Sequence, residues 1–452
     1  MFDSEAYLKG KKITVLGLGL LGRGLGDTLF LAQKGADLIV TDMKSEDELK
    51  TSVDKLKDFP NIEFVLGEHR LEDFKERDMI LKASGIPLDS PYIKEAENNN
   101  IPVEMSAALV AKLSGAKVIG VTGTRGKSTT THLIEAILKE SGQKFFMGGN
   151  VRGLANLPLL EEVGEGDLVL MELDSWQLQG FGYSNISPHI SVFTNLMNDH
   201  MNYYKGDPSR PESIRAGMQQ YFDDKANIFK FQNEEGSFVV NSSTKKIIDE
   251  RYRGDIKSKI ILTDNVLPTD WQIILKGDHN KESVSYAVSV CRLLGIEDAL
   301  IKKVVEEFKG VPYRMELIRE TGGVKYYNDT TATVPDATVA ALQALDEGKR
   351  NIILLAGGSD KELQYEDFVK VLDRKVKKLI LFEGVATDKI MALLKDKNNI
   401  PIVSSMEEAF TEVSDTSVKG DIVLLSPGAT SFGIFKNEFD RGDQFNKLVA
   451  SL

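Results

Sequence analysis

The sequence predicts an α/β protein of three domains built on parallel sheets. Three observations carry this. A β-rich run, a glycine loop, a helical stretch and a second β-rich run follow one another near the start. The same alternation returns near residue 118, and again between about 351 and 425. Strand–helix–strand alternation implies βαβ units, and these need parallel pairing. The chain has 452 residues, enough for two to four domains at ~100–200 residues each.

In the first group Ile13 to Leu16 reads as a strand, Arg23 to Lys34 as a helix and Leu38 to Thr41 as the next strand. In the second, Val118 to Thr122 precedes a helix over about Lys127 to Glu140. In the third, Asn351 to Leu355, Lys378 to Phe382 and Asp421 to Leu425 read as strands. Domain boundaries are expected near residues 106 and 310, giving segments 1–106, 107–310 and 311–452. The pattern from Gln232 to Leu275 assigns no elements. No long linker, low-complexity tract or internal repeat interrupts the chain.

Composition narrows the function. Acidic residues outnumber basic ones, 68 to 56, for a formal charge of −12. An acidic surface repels phosphate backbones, so no nucleic-acid partner is expected. Cys291 is the one cysteine, so neither an intrachain disulfide nor a cysteine-rich zinc site is expected. The start, MFDSEAYLKGKK, has no apolar core of a secretory signal. No apolar run approaches the ~18 residues of a membrane span. A cytoplasmic protein without membrane insertion is expected.

Gly17-Leu18-Gly19-Leu20-Leu21-Gly22 fits G-x-G-x-x-G between strand and helix, and Asp42 follows 20 residues after Gly22. Glycines at these places let a pyrophosphate approach a helix N-terminus. The motif does not choose the nucleotide, so a nicotinamide-dependent oxidoreductase stays open at this point. A second loop is Gly123-Thr124-Arg125-Gly126-Lys127-Ser128-Thr129. Its Gly-Lys-Ser core suits a triphosphate: backbone N–H groups hold phosphate oxygens, Lys127 reaches the β/γ oxygens and Ser128 coordinates Mg²⁺. Val121 stands where the longer P-loop spacing needs glycine, so the motif is the shorter T-G-T-x-G-K-S form. Hydride transfer has no use for a triphosphate loop.

Val121 to Thr129 resembles the ATP loop of the Mur ligases, which build the peptide of bacterial cell-wall precursors. Further matches come in that family's order. They are Gly148-Gly149-Asn150, Glu172 to Leu178, Asn195 to Met201, Asp224-Lys225-Ala226, His279-Asn280, Pro312 to Glu316, Asn328 to Thr333 and Leu425 to Phe432. The set spans nearly the whole chain. The Glu172-Leu173-Asp174-Ser175-Trp176-Gln177-Leu178 run, Asp199-His200-Met201 and the stretch from Ser426 to Asn437 point to the type that adds glutamate. The resemblance implies an N-terminal Rossmann-like domain for a UDP substrate, a central P-loop ATPase-like domain and a C-terminal Rossmann-like domain for the amino acid.

It also implies the chemistry. A substrate carboxylate takes the γ-phosphoryl group of ATP to become an acyl phosphate, and the amine of glutamate displaces phosphate. The implied partners are UDP-N-acetylmuramoyl-L-alanine and glutamate, D-glutamate first, and the implied state is a monomer. The implied catalytic residues are Lys127, Glu172, His200 and Lys225. Lys225 is expected to be carbamylated, and Ser128, Glu172, His200 and Lys225 to hold Mg²⁺. ATP falls to Gly123, Thr124, Arg125, Gly126, Lys127, Ser128, Thr129, Asn280, Arg314 and Asp329. The UDP substrate falls to Leu20, Leu21, Gly22, Asp42, Lys44, Asn150 and Gln177. The amino acid falls to Thr333, Lys361, Ser431 and Phe432.

Five departures from the family pattern stand out. Leu21 replaces a hydroxyl residue, Asp174 a serine, Ser283 an asparagine, Thr331 a lysine and Glu438 an aromatic residue. A carboxylate at 174 beside an anionic substrate is expected only where it binds a metal or a cation. The other readings are a folate polyglutamate ligase of the same superfamily, which would ignore UDP substrates, and a nucleotide-binding regulator that releases no phosphate.

Overall fold

The computed structural model describes all residues except Met1, Leu20, Leu21, Arg152, Asn202, 206–209, Lys276, Lys361, Glu362 and Phe432. The chain forms two compact units. One holds Met1–Gln272 with Glu282–Glu306, the other Ile273–Lys281 with Glu307–Leu452.

The first unit contains two parallel sheets. The N-terminal sheet comprises β1 (Lys12–Leu16), β2 (Asp37–Asp42), β3 (Ile62–Leu66), β4 (Met79–Lys82) and β5 (Val103–Glu104), in the order β3-β2-β1-β4-β5. The next comprises β6 (Lys117–Thr122), β7 (Phe145–Gly149), β8 (Leu168–Glu172), β9 (Ile190–Phe193), β10 (Ser237–Val240) and β11 (Lys259–Leu262), in the order β11-β10-β9-β6-β8-β7. Strands covered on both faces need apolar side chains on both faces. That is why Ile13-Thr14-Val15-Leu16 and Val118 to Thr122 are runs rather than alternations, and all these residues are buried. β10, β11 and the helix Ser242–Tyr252 fill the region in which the sequence pattern assigns nothing. Their strands are four residues each, and β11 is an edge strand with only half-buried or exposed residues.

One hydrophobic cluster runs through both sheets of this unit. Val15, Leu18, Leu31 and Leu38 belong to it together with Leu109, Leu157, Val169 and Phe181. At the junction, the helix Arg23–Gln33 approaches the second sheet's loops closely: a Cβ at Gly26 would lie 2.5 Å from that of Ala155. Only glycine permits this approach.

The second unit carries β12 (Glu316–Thr321), β13 (Val324–Asn328), β14 (Ile352–Gly357), β15 (Val376–Phe382), β16 (Ile402–Val403) and β17 (Ile422–Leu425), in the order β12-β13-β17-β14-β15-β16. β12 pairs antiparallel with β13 and the other pairs are parallel. In all three sheets, loops that leave the carboxyl ends of parallel strands emerge at one edge. That edge, where the strand order reverses, is where open α/β sheets bind ligands. β1 lies between β2 and β4, β6 between β9 and β8, and β17 between β13 and β14.

Candidate active site

Both glycine loops deliver the N-terminus of a helix. Gly22 (φ +83°) caps the helix Arg23–Gln33, and Gly126 (φ +81°) caps the helix Lys127–Ser141. Within the second loop Gly123 has φ +137°, and a Cβ there would come 1.9 Å from the Thr194 hydroxyl oxygen. The loop is therefore fitted to β9's exit as well as to β6. Thr124 N–H donates to Asn195 O at 2.9 Å, and Arg125 N–H to Asn195 Oδ1 at 2.9 Å. Ser283 lies against the loop's end, 3.0 Å from where a Gly126 Cβ would be.

Two lysines meet on this loop. Lys127 Nζ donates to Gly123 O at 3.0 Å and Thr124 O at 3.1 Å. Lys225, from the helix Pro211–Ala226, is buried, and its Nζ donates to Gly123 O at 2.9 Å. The Tyr221 ring lies 4.7 Å from that Nζ, and the Tyr221 hydroxyl is 3.1 Å from Thr124 Oγ1. Burial, and after it the positive charge of Lys127, holds the Lys225 amine well below the usual lysine range. The structure thus favours a neutral amine at 225.

Glu172 ends β8, in register with Val121 of β6. The residue is buried as a whole, and its carboxylate makes no hydrogen bond or ion pair among the described residues. A buried carboxylate without a protein partner is costly unless a cation or ligand meets it. Ser128 is also buried, at the start of its helix. His200 has φ +56°, a left-handed backbone uncommon for a residue with a side chain. Its ring packs 4.9 Å from that of Trp176. Burial lowers its pKa against the pull of Asp199, and Lys127 and Lys225 lower it further. A neutral imidazole keeps a lone pair for a metal.

Asp174 has a structural task that the sequence reading did not name. It is the N-cap of the helix Ser175–Tyr183. Its Oδ1 accepts from Gln177 N–H at 2.7 Å, while Gln177 Oε1 accepts from Asp174 N–H at 3.4 Å. This is a capping box, and aspartate serves it as well as serine does. It also occupies part of the Gln177 amide.

On the N-terminal sheet, Asp42 faces inward. Its Oδ2 accepts from Leu18 and Gly19 N–H at 2.9 and 3.0 Å, and its Oδ1 from Lys44 N–H at 3.0 Å. It shapes the glycine loop. Asn150 Oδ1 accepts from Arg23 Nη1 at 2.6 Å, joining the GGN turn to the helix Arg23–Gln33. Leu20 and Leu21 lie outside the described residues.

A cavity of about 200 Å³ opens between the first two sheets, lined by Gly17, Gly19, Arg23, Lys82, Ser106 and Gln177 among others. The sequence reading gave no role to four polar groups in and around it. Lys82 ends β4 and is buried; Nζ donates to Gln179 Oε1 at 3.1 Å, and burial lowers its pKa to about 8. Gln179 in turn donates to Asp224 Oδ2 at 2.8 Å, and burial raises Asp224 to about 6. Asp27 is the fourth. Its Oδ1 accepts from Asn156 and Leu157 N–H at 2.9 and 2.8 Å. Lysine closing an apolar strand and aspartate within an apolar helix face were the available signals.

Asp27 yields a prediction. Burial raises its carboxyl to about 6, against the opposing hydrogen bonds from Leu157, Ser106 and Asn156 and the charge of Arg23. The folded protein holds this proton more tightly than the unfolded chain does, so stability is lost as pH rises from about 4 to about 6. The cost at neutral pH is on the order of 3 kcal/mol. Asp27→Asn keeps an oxygen for the two N–H groups. It is expected to raise Tm by roughly 5 °C at pH 7.5, with the gain shrinking below pH 5. Thermal melts of both proteins from pH 4.5 to 7.5 check this; a pH-independent difference would remove the charge argument.

In the second unit Asp329, beyond β13, accepts from Met315 N–H at 3.1 Å and from Ser426 Oγ at 2.7 Å. Arg314 is exposed, between Tyr313 (φ +65°) and Met315 (φ +47°). Such strained pairs collect at ligand sites. Asn280 lies in the first turn of the helix Asp278–Leu293. Thr333 is half-buried and Ser431 buried. Glu438 is half-buried and the next ring, Phe439, packs against Tyr313 at 5.7 Å. Lys361 and Phe432 lie outside the described residues.

Three domain families match the chain in order. They are the Mur ligase MurD-like N-terminal domain over residues 11–104, the Mur ligase middle domain over 121–289, and the Mur ligase glutamate ligase domain over 313–428. The UDP-N-acetylmuramoylalanine–D-glutamate ligase of Roseiflexus sp. (strain RS-1) is 33% identical over 481 residues, covering 98% of this chain and 99% of that protein. The protein of the same name from Caldanaerobacter subterraneus subsp. tengcongensis is 34% identical over 469 residues, with 98% and 99% covered. Among solved structures, the MurF ligase from Thermotoga maritima in complex with ADP aligns at a TM-score of 0.59 and 16% identity, covering 100% of this chain and 97% of that one. MurC from the same organism aligns at 0.58 and 17%, covering 98% and 99%. With the domain families in order and relatives a third identical from end to end, this chain belongs to the Mur ligase family of ATP-dependent ligases.

Proposed function

We propose that the chain joins D-glutamate to UDP-N-acetylmuramoyl-L-alanine, with ATP as the driving reagent, in the synthesis of peptidoglycan precursors. The observation that carries the ligase chemistry is the meeting of Lys127 and Lys225 on the carbonyl of Gly123, in the strand–loop–helix unit that neighbours Glu172. The choice of amino acid rests on the relatives' names and on the C-terminal motif matches. The domain division proposed is 1–106 for the UDP substrate, 107–310 for ATP and 311–452 for the amino acid. The protein acts in this reading as a cytoplasmic monomer.

Each residue has a task in this reaction. Loop N–H groups and the helix N-terminus hold phosphate oxygens. Lys127 balances negative charge that grows as the γ-phosphoryl group passes to the substrate carboxylate. Arg314, Asp329 and Asn280 are the further ATP residues that the family resemblance implies, a planar guanidinium being suited to phosphate. The amine of glutamate then forms the amide bond and phosphate leaves with the acyl C–O electron pair. No protein nucleophile takes part.

The residues present fit Mg²⁺. Among the described residues no cluster of three or more His, Cys, Asp or Glu forms a ready-made metal cage. Mg²⁺ in phosphoryl-transfer sites takes few protein ligands and several phosphate and water oxygens. Ser128, the unpartnered Glu172, His200 and a carbamate on Lys225 are that kind of set. The ion, when bound, neutralises phosphate charge. The carbamate forms when the neutral Lys225 amine bonds to the carbon of CO₂ and releases one proton, which converts a cation into an anionic oxygen ligand.

A phosphate-release assay with ATP and UDP-N-acetylmuramoyl-L-alanine tests the assignment. D-glutamate is expected to give the highest turnover and L-glutamate less. Release with L-lysine or D-alanine, and none with either glutamate enantiomer, would overturn the amino-acid assignment and leave the ligase reading standing.

A further inference from the structure

Arg441 is among the largest fully buried side chains of the described residues. It lies on the helix Glu438–Ala450. A buried guanidinium ordinarily sits opposite a carboxylate, because desolvating a lone charge costs several kcal/mol. Arg441 has no ion pair among the described residues. Its Nε donates to Thr330 Oγ1 at 3.0 Å and its Nη2 to Thr330 O at 2.9 Å; longer contacts of 3.4 Å reach Ala429 O. Burial lowers its pKa to about 9, with Glu438 pulling the other way.

The groups it touches are informative. Thr330 belongs to the loop after β13, which carries Thr331 and Thr333. Ala429 belongs to the loop after β17, which carries Ser431. Arg441 therefore fastens two loops at the carboxyl edge of one sheet. It also lines a crevice together with Gly358, Thr430 and Ser431. The acidic residue of that crevice, Glu383, is exposed. Thr430 is itself pinned to the loop after β14 through Ser359 O at 3.0 Å. A positive charge without a carboxylate partner stands behind three loops, two of which carry proposed amino-acid-binding residues.

We propose that Arg441 is a positioning and specificity-determining residue for the amino-acid substrate: it fastens the Thr330–Thr333 and Ala429–Ser431 loops and favours a dicarboxylic ligand there over a neutral one. The inference rests on the reading that Thr333 and Ser431 bind the amino acid. A dicarboxylate supplies negative charge beyond the pull of Glu438, which makes no ion pair with Arg441. A neutral side chain leaves the buried cation unbalanced. A clamp of structural value alone would stabilise the loops equally for any occupant.

The full-length enzyme, with ATP and the UDP substrate saturating, tests this through Arg441→Lys and Arg441→Met. KM for D-glutamate is expected to rise ~10-fold or more in Arg441→Met, the size of one unit charge acting over several ångström at intermediate dielectric. It rises less in Arg441→Lys, which keeps the charge. KM for ATP stays within about 2-fold and kcat within a few-fold. D-glutamine, measured as a competitive inhibitor, is expected to bind nearly as before, so discrimination between the two ligands falls. Equal weakening of D-glutamate and D-glutamine, or unchanged KM values, would overturn the proposal. Should Arg441→Met not fold, the same ratio in Arg441→Gln, which removes the charge and keeps a hydrogen-bonding amide, decides. Ser431→Ala separates the two readings. If it leaves the KM for D-glutamate unchanged, the binding-site assignment fails. If it raises that KM while the Arg441 variants keep wild-type discrimination, this inference alone fails.

Discussion

Lys225→Ala is expected to lower turnover by ~10²-fold or more, the loss usual for an electrostatic group at a transferring phosphate. The fold should survive, because the ammonium's partners are the Gly123 carbonyl and the Thr122 hydroxyl, groups that the neighbouring loop already holds in place. The informative part is rescue. A carbamate differs from the alanine variant by a carboxylate on a short stem. Millimolar formate or acetate is therefore expected to restore part of the activity of Lys225→Ala and to do nothing for the wild type. Depleting CO₂ and bicarbonate should lower wild-type activity, and adding bicarbonate should recover it. The pKa supports the direction: burial and Lys127 both favour the neutral amine that reacts with CO₂. Activity within a few-fold of wild type in Lys225→Ala would rule out a ligand at this position.

Lys127→Ala removes the other cation. Expected activity is again down by ~10²-fold or more, but without rescue by carboxylates, since a positive charge is missing. Both kcat and kcat/KM for ATP should fall, as they do when an interaction made in the transition state is lost. Thermal stability should change little. In the same variant the Lys225 amine loses a neighbouring positive charge, so its pKa should rise, and carbamylation at neutral pH should fall with it. ¹³C NMR with labelled bicarbonate reads that coupling directly. Activity close to wild type would place the triphosphate elsewhere.

The sheets were legible in the sequence where strands are covered on both sides. Ile13 to Leu16 and Val118 to Thr122 read as continuous apolar runs because both faces are packed. Each glycine loop could be placed to the residue, because Gly22 and Gly126 must take φ above +80° to start a helix. β10 and β11 were illegible, being short and close to the sheet's edge. In the site, the proposed catalytic residues lie in a loop or near the ends of strands and helices, and so appear within local motifs. The polar network does not: Lys82 and Gln179 are 97 positions apart, and Thr330 and Arg441 are 111 apart. An arginine in a helix reads as a solvated cation until the fold buries it. The capping role of Asp174 was overlooked for the opposite reason. Its partner is three residues away, and the Asp-x-x-Gln spacing of a capping box was present in the sequence.

The single hydrophobic cluster under the first two sheets has a consequence for modularity. The hydrogen-bond ladders divide this region into two, yet the packed interior does not. Leu157 and Leu160 share it with Val15 and Leu31, and the Asp27 bonds and the Gly26–Ala155 approach tie the halves along one seam. A fragment ending near residue 106 would lose one side of that interior. It is expected to be insoluble or molten, with dye-accessible apolar surface and no cooperative melt. The two segments proposed to take different ligands are thus one cooperative element in folding. Recombination between related ligases would have to exchange them together, whereas the Glu307–Leu452 segment has its own interior and, in the proposed division of tasks, is the natural unit for changing which amino acid is joined.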